Sequence, residues 1–191
     1  MPPFLTSEQF YHRFLTKVTA DERIGGLGYN LALLFVPRER RQLSGAAGVG
    51  PLNYAEVPSQ WAFVPNDVTD YFASPPPSST LSERVASVRV PIDGHPQVHA
   101  VVIEKHPEIC REEDPFVRLI NSREIQFEPP YLLVPVTGNQ GTEALLTVTN
   151  MYSGQPLDRK IEELTTLARK SGQVLQLMRE HHLGSAGYYL G

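Results

Sequence analysis

Residues 131–180 constrain the fold most, because they hold two apolar strands, a glycine turn and a long amphipathic helix in direct succession. Residues 131–137 are rich in aromatic and β-branched side chains, and the turn at 138–141 has glycine at both ends. Residues 142–152 are apolar on both faces, as in a central strand that is covered on each side. From Asp158 onward, apolar residues recur at helical spacing. The sequence therefore predicts a hairpin inside a sheet and a helix packed on that sheet.

The upstream half of the chain predicts the elements that complete this sheet. Thr6, with Gln9 three residues later, forms a capping-box pattern ahead of a first helix. An apolar strand is expected over residues 29–36 and a shorter return strand over residues 42–47. Residues 81–90 bring the chain back to the sheet.

The middle of the chain predicts two short helices. Residues 97–105 read as a helix with four buried residues, and residues 116–121 form another helix behind Pro115 and a run of acidic residues that suits a helix N-terminus. The residues that we expect to be buried in the first of these helices are Val98, Val101, Val102 and Ile103.

The length and charge of the chain limit its class. At 191 residues it fits one domain over residues 1–191, with a core of about 5–182 and a tail at 183–191. The net charge is −4, and no basic block is long enough to follow a phosphate backbone, so we expect no nucleic-acid partner. No signal peptide or membrane-spanning apolar run occurs, so a cytoplasmic protein without membrane contact is expected.

The cysteine and histidine residues are the candidates for catalysis and metal binding. Cys110, the one cysteine, could act as a nucleophile with His99 or His106 as its base, but acidic neighbours disfavour a thiolate. His95 and His99 are four residues apart, but Pro96 follows His95 at a turn, and no acidic residue completes a ligand set. We therefore predict that the protein is not an enzyme and holds no metal, and the sequence leaves any cofactor unknown.

Three segments of the chain resemble GAF domains, a family of small-molecule sensing modules related to PAS domains. The run VPVTGNQGTEALLTVTNMYSGQPLDRKIEELTTLARKSGQVLQL is similar to the last strands and closing helix of that family. GLGYNLALLFVPRERRQLSGAAGVGP resembles the first hairpin of GAF domains from bacterial sensor kinases, and LSERVASVRVPID resembles their middle segment. The three segments occur in the order that the family shows.

This resemblance implies a single α/β (α+β) domain with a central, mostly antiparallel sheet. The terminal helices would cover one face, and a lid of short helices and loops over residues 97–127 would cover the other. A small-molecule cavity would lie under that lid, and Arg118 would be the residue to pair with an anionic ligand. The candidate cavity residues are Trp61, Tyr71, Phe72, His99, Phe116, Arg118, Tyr131 and Val134.

The resemblance also bears on two known ligand classes of GAF domains, cyclic nucleotides and bilins. GAF domains that bind cyclic nucleotides share a five-residue pattern, of which Asn150 and Glu162 are present here, whereas Met151, Leu157 and Ile161 depart from it. Bilin-binding members attach the chromophore through a cysteine commonly followed by histidine, but here arginine follows the cysteine. Cyclic-nucleotide binding and light sensing are therefore disfavoured.

The function that the resemblance implies is a non-catalytic sensor of a small molecule in bacterial signal transduction. The alternative is a ligand-free interaction scaffold whose cavity is filled by side chains. The chain would be a stand-alone protein or part of a larger sensor, with a signalling-protein partner or a fused output domain. A homodimer is expected through a stripe on the last helix, formed by Ile161, Leu164, Ala168, Leu175 and Met178.

Overall fold

The computed structural model describes residues 6–39, 41–58 and 80–187, with side chains up to residue 181. Within these residues six antiparallel strands form one sheet in the order β3-β2-β1-β6-β5-β4. The strands are β1 (Leu31–Glu39), β2 (Gln42–Val49), β3 (Arg89–Pro91), β4 (Glu108–Cys110), β5 (Tyr131–Thr137) and β6 (Thr142–Thr149).

Five α-helices within the described ranges pack around the sheet. The capping box predicted at the first helix is confirmed, because Thr6 accepts from the Gln9 backbone and the Gln9 side chain accepts from the Thr6 backbone. The last helix follows a 3₁₀ turn at Leu157–Lys160. The helices are α1 (Ser7–Thr19), α2 (Leu81–Ala86), α3 (Pro96–Glu104), α4 (Pro115–Asn121) and α5 (Ile161–Gly187).

The predicted central hairpin is confirmed. β5 and β6 pair with each other, and β6 also pairs with β1, so β6 lies inside the sheet with a neighbour on each side. The return strand ends at Thr149 rather than at Tyr152, because Asn150 starts a turn in which its carbonyl accepts from Ser153 and Gly154. Gly154 takes a positive φ of 66°, which suits glycine.

One face of the sheet is covered by α1 and α5. The apolar cluster on this face includes Phe14 and Val18 from α1, Leu164 and Ala168 from α5, and Leu34 from the sheet. The expected placement of both terminal helices on one face is therefore confirmed.

The opposite face is covered by α2, α3 and α4, which form the lid side of the molecule. Its apolar cluster includes Val85 of α2, Val101 of α3, Phe116 of α4, and Leu33 and Tyr131 from the sheet. α3 and α4 agree with the lid predicted over residues 97–127. α2 was not predicted: residues 81–90 were expected to return to the sheet, but they first form this helix and reach the sheet only at β3.

The burial expected for α3 is correct for Val98 and Val101 and wrong for Ile103. Ile103 is 62% exposed, and Val102 is only partly buried. Each residue advances about 100° around a helix, so Ile103 lies about 200° from Val101 and points away from the sheet. A helix of nine residues on a sheet buries one side, although its sequence is apolar at all four positions.

Candidate functional site

The space between the lid and the sheet holds a cluster of aromatic rings centred on Phe116. The Phe116 ring centroid lies 5.7 Å from Phe35, 5.7 Å from Tyr131, 6.3 Å from Phe127 and 6.0 Å from the His95 ring. All four phenyl and phenol rings are at most 1% exposed. Such spacing is that of rings in van der Waals contact. These side chains therefore fill the space between the lid and the sheet around Phe116.

A hydrogen bond crosses from the sheet to the lid inside this cluster. The Tyr131 hydroxyl donates to Asp114 Oδ2 at 2.5 Å, and Asp114 Oδ1 accepts from the Val117 backbone at 2.9 Å as the N-cap of α4. Burial, and then the bond to Asp114, raises the pKa of Tyr131 far above its ordinary value. Tyr131 is consequently a neutral donor that holds the start of α4 against β5.

Cys110 lies beside this pair at the end of β4. Its thiol is buried, and burial raises its pKa to about 11, which a hydrogen bond with Tyr131 opposes only in part. At neutral pH the sulfur therefore keeps its proton, and a protonated thiol is a poor nucleophile. The arrangement offers hydrogen bonding rather than nucleophilic chemistry.

Two polar atoms on the lid side are buried and have no hydrogen-bond partner among the described residues. They are His95 Nδ1, on a residue that is 7% exposed, and Thr147 Oγ1, on a residue that is fully buried. Burial lowers the pKa of His95, an effect that the Asp114 charge opposes, so the imidazole is neutral at pH 7. Thr147 lies in β6 between Leu33 and Leu133, two residues that face the lid.

Sequence reasoning missed both of these atoms. From the sequence, His95 is a candidate only for metal binding, and Thr147 is a residue of the apolar return strand with no predicted role. A threonine in an apolar strand interior was the available signal in the sequence, but an unpartnered hydroxyl is visible only when its neighbours are known.

The structure brings only some of the predicted cavity residues together. Phe116 and Tyr131 are buried in the aromatic cluster, His99 is half-buried on α3, and Arg118 is exposed on α4. Val134 belongs to the cluster under the terminal helices, so it does not line the lid space. Trp61, Tyr71 and Phe72 lie outside the described residues.

Val134 was misplaced because successive residues of a strand point to opposite faces. Tyr131 and Leu133 point to the lid, so Leu132 and Val134 point to the terminal helices. A strand buried on both faces shows no polar alternation that would reveal this from sequence.

The stripe predicted as a dimer surface on α5 is mostly turned inward. Leu164 and Ala168 are fully buried and Leu175 is 8% exposed, whereas Ile161 and Met178 are partly buried. Among the side chains of α5 described up to residue 181, the large apolar ones that are exposed are Val174 and Leu177, at 41% and 65%.

A surface groove of about 650 Å³ lies between the end of α1 and the start of α5. It has equal numbers of cationic and anionic side chains, and several are paired with one another: Lys160 lies 2.8 Å from Glu163, and Arg159, next to the groove, pairs with Glu22. The charges therefore favour neither sign of ligand. The charged lining residues are Lys17, Lys160, Lys170, Glu22, Glu162 and Glu163.

Neither a cluster of potential metal ligands nor a membrane-spanning helix occurs in residues 6–39, 41–58 and 80–187. No group of three or more His, Cys, Asp or Glu residues that could hold a metal ion occurs in these ranges. No helix in the same ranges is long and apolar enough to cross a membrane.

Comparisons with known proteins place this arrangement among GAF folds. No protein-family model matches the sequence, and no curated protein matches it. The structure is similar to residues 122–287 of a methyl-accepting chemotaxis protein, at 14% identity and a TM-score of 0.57, over 90% of this chain and 92% of that one.

Two further solved structures are similar over nearly their whole length. The second GAF domain of DevS from Mycobacterium smegmatis has 13% identity and a TM-score of 0.56, over 91% of this chain and 97% of that one. The GAF domain/HD domain protein from Geobacter sulfurreducens has 11% identity and a TM-score of 0.58, over 92% and 95%. The chain has the GAF fold. It is the antiparallel α+β form with a lid on one face that the sequence resemblance predicted.

Proposed function

We propose that this chain is a regulatory GAF module that binds a small molecule between the sheet and the lid. The observation that carries the proposal is the buried polar pair, His95 Nδ1 and Thr147 Oγ1, within an otherwise apolar and aromatic space. Small-molecule sites are mostly apolar with a few placed polar groups. The GAF fold, shared with a chemotaxis protein and with DevS, supports the same assignment.

The route from the lid to the terminal helices runs through β5. Tyr131 faces the lid and bonds to Asp114, whereas Val134 and Val136 of the same strand face α5. At the end of β5, Gly172 of α5 approaches the Thr137 backbone so closely that a Cβ would lie 2.3 Å from the carbonyl oxygen. A ligand that favours one lid position would thus bias the position of α5 through a rigid strand.

The module acts without catalysis in this proposal. The Cys110 thiol is protonated, and Tyr131 is a neutral donor whose partner is already engaged. Regulation then depends on binding alone, and the output passes to a fused domain or a signalling partner. In a homodimer formed through Val174 and Leu177, the α5 helices of both protomers would meet at one interface. A shift of α5 in either protomer would then act on that interface.

The proposal is tested by a thermal-shift screen of the wild-type chain with cyclic nucleotides, amino acids, nitrate, small carboxylates and uncharged aromatic compounds. A ligand that binds only the native state stabilises it by about 2.7 kcal/mol at a hundredfold excess over Kd, which raises the melting temperature. Hits are confirmed by calorimetry. A broad screen in which no compound changes the melting temperature would contradict the sensing function.

The second candidate is a ligand-free interaction scaffold. The observation that favours it is the contact among Phe35, Phe116, Phe127 and Tyr131, which occupies the lid space with the protein's own side chains. This reading expects concentration-dependent association by sedimentation that Leu177→Glu abolishes. A sensor that also dimerises would show the same association, but its melting temperature would in addition depend on a ligand. The thermal-shift screen therefore distinguishes the sensor from the scaffold.

A further inference from the structure

We propose that the site under the lid takes a small, uncharged, planar molecule with a hydrogen-bonding group, and that the Phe116 ring occupies this site when no ligand is bound. The inference rests on the proposed function and specifies its ligand class and its closed state. Three observations support it: two unpartnered polar atoms, the position of the Phe116 ring, and the charges available around it.

Both polar atoms lie on the lid side of the sheet, where Phe116 packs. His95 meets Phe116 edge to face, with centroids 6.0 Å apart and planes at 79°. The Nδ1 atom of that imidazole and the Thr147 hydroxyl are both removed from water without a partner among the described residues. Leaving such groups unpaired is unfavourable, so each indicates a partner that the empty state lacks.

The register of the sheet places Phe116 over Thr147. Phe35 is opposite Leu145 of β6, and Tyr131 is opposite Thr149. Thr147 is the lid-facing residue midway between these two positions, because side chains alternate along β6. Since Phe116 contacts both Phe35 and Tyr131 at 5.7 Å, its ring spans the position above Thr147. An apolar ring there covers the hydroxyl without bonding to it.

Opening of the site requires a shift of α4, the helix that carries Phe116. α4 has seven residues, its start is held to the sheet by the hydrogen bond from Tyr131 to Asp114, and Phe116, Val117 and Ile120 pack into the core. Small shifts of a packed helix between two discrete arrangements are a recognised form of switching. Displacement of Phe116 would open a space walled by Phe35, Phe127 and Tyr131, next to the His95 ring and, by the register of β6, above Thr147.

The charges around the site define the ligand. Asp114 is the buried charged residue in this cluster, and both of its carboxylate oxygens already accept hydrogen bonds. Arg118, the nearest cation on α4, is exposed. An anionic ligand would be buried without a counter-ion, which is strongly unfavourable. A cationic ligand would have to compete for Asp114 oxygens that already accept hydrogen bonds from Tyr131 and the Val117 backbone. A neutral ring with one donor or acceptor matches the aromatic walls and the two polar atoms.

Phenol and toluene are the probes that test this inference, because they have nearly the same shape and differ in one hydroxyl. Phe116→Ala removes the ring that closes the site, and engineered apolar cavities of about 150 Å³ are known to take up benzene. In this variant we expect phenol to bind at least tenfold more tightly than toluene, measured by calorimetry at pH 7.5. Adding His95→Phe or Thr147→Val should reduce that preference at least threefold.

Phe127→Ala is the matched control. Phe127 is as buried as Phe116 and lies 6.3 Å from it in the same cluster, but it is not a ring neighbour of His95. Its cavity should bind the two probes within threefold of each other. Equal affinities in Phe116→Ala, or a phenol preference that survives both polar substitutions, would overturn the inference. Circular dichroism confirms folding, and Phe116→Leu replaces Phe116→Ala if the larger cavity prevents folding.

A second measurement needs no cavity. Thr147→Val replaces an unpartnered hydroxyl by a methyl group of the same shape, so it should raise the melting temperature of the ligand-free protein. A decrease would show that the hydroxyl has a partner and would overturn its assignment as a ligand contact.

The outcome for the inference is distinguishable from that for the proposed function. A compound from the screen that stabilises the wild type should lose at least tenfold in affinity in His95→Phe and in Thr147→Val. If its affinity is unchanged in both, sensing stands and this inference fails. If no compound binds the wild type, sensing fails, and the phenol comparison still decides whether the closed site exists.

Discussion

The Tyr131 hydroxyl donates to Asp114 Oδ2 at 2.5 Å, across the boundary between β5 and the lid helix α4. Asp114 also caps α4 through the Val117 backbone, so one carboxylate fixes both the start of the helix and its attachment to the sheet. Any event that moves α4 must change this bond. Its strength therefore opposes a shift of the lid, together with the burial of Phe116, Val117 and Ile120.

Tyr131→Phe should destabilise the protein by about 1.5–3 kcal/mol, the range for a buried hydrogen bond to a charged group. The carboxylate stays buried but loses one partner, and the ring packing is retained. Urea denaturation followed by circular dichroism measures the change. Asp114→Asn is the comparison, because its side-chain oxygen can still accept a hydrogen bond from the Val117 backbone. If Tyr131→Phe lowers the free energy of unfolding by only about 0.5 kcal/mol, as surface substitutions do, the hydrogen bond does not couple α4 to β5.

Gly172→Ala should separate α5 from β5. A Cβ at this position would lie 2.3 Å from the Thr137 carbonyl oxygen and 2.8 Å from its nitrogen, and backbone atoms cannot rotate away. Overpacking of this kind costs about 1–3 kcal/mol, which thermal and urea unfolding would detect. Gly141→Ala, in the turn of the same hairpin, meets nothing within 4 Å and should be nearly neutral. Equal stability of the two variants would show that the close approach is not maintained.

Stability should fall as the pH is lowered from 7.5 to 5.5. Burial lowers the pKa of His95 and of His12 below the ordinary 6.5, so the unfolded chain binds protons more readily than the folded one. The stability that the two neutral histidines contribute is therefore fully present above pH 6.5. It is lost as the pH falls through their lower pKa values in the folded protein. His95→Phe should flatten this pH profile, measured by urea unfolding at several pH values, and His12→Gln should flatten it independently. An unchanged profile in both variants would contradict the assignment.

Cys110 should be unreactive in the native protein. The thiol is 6% exposed and its pKa is raised to about 11, mainly by burial, so it is both shielded and protonated at pH 8. Ellman's reagent should modify less than a tenth of the protein in the time that modifies all of it in denaturant. The denatured sample calibrates the assay, since the chain has one cysteine. Rapid native reaction would show that β4 opens easily.

The parts of the fold that follow a clear local period were predictable. The β5–β6 hairpin, the capping box at Thr6 and the long helix α5 each depend on residues close in sequence. The GAF resemblance extended this to the division of helices between the two faces. The candidate site was less accessible: Phe116 and Tyr131 were identified, but Val134 was assigned to the wrong face.

The sequence by itself determined the order and type of most elements, because helix caps, glycine turns and apolar periodicity act over a few residues. α2 is the exception, since residues 81–90 were expected to return directly to the sheet. Only the tertiary structure decided which face Val134 and Thr147 occupy, and that His95 Nδ1 and Thr147 Oγ1 lack partners. A strand that is apolar on both sides has no alternation of apolar and polar residues that would show which residues face the lid. Whether a buried polar atom is satisfied depends on groups that folding brings from distant parts of the chain.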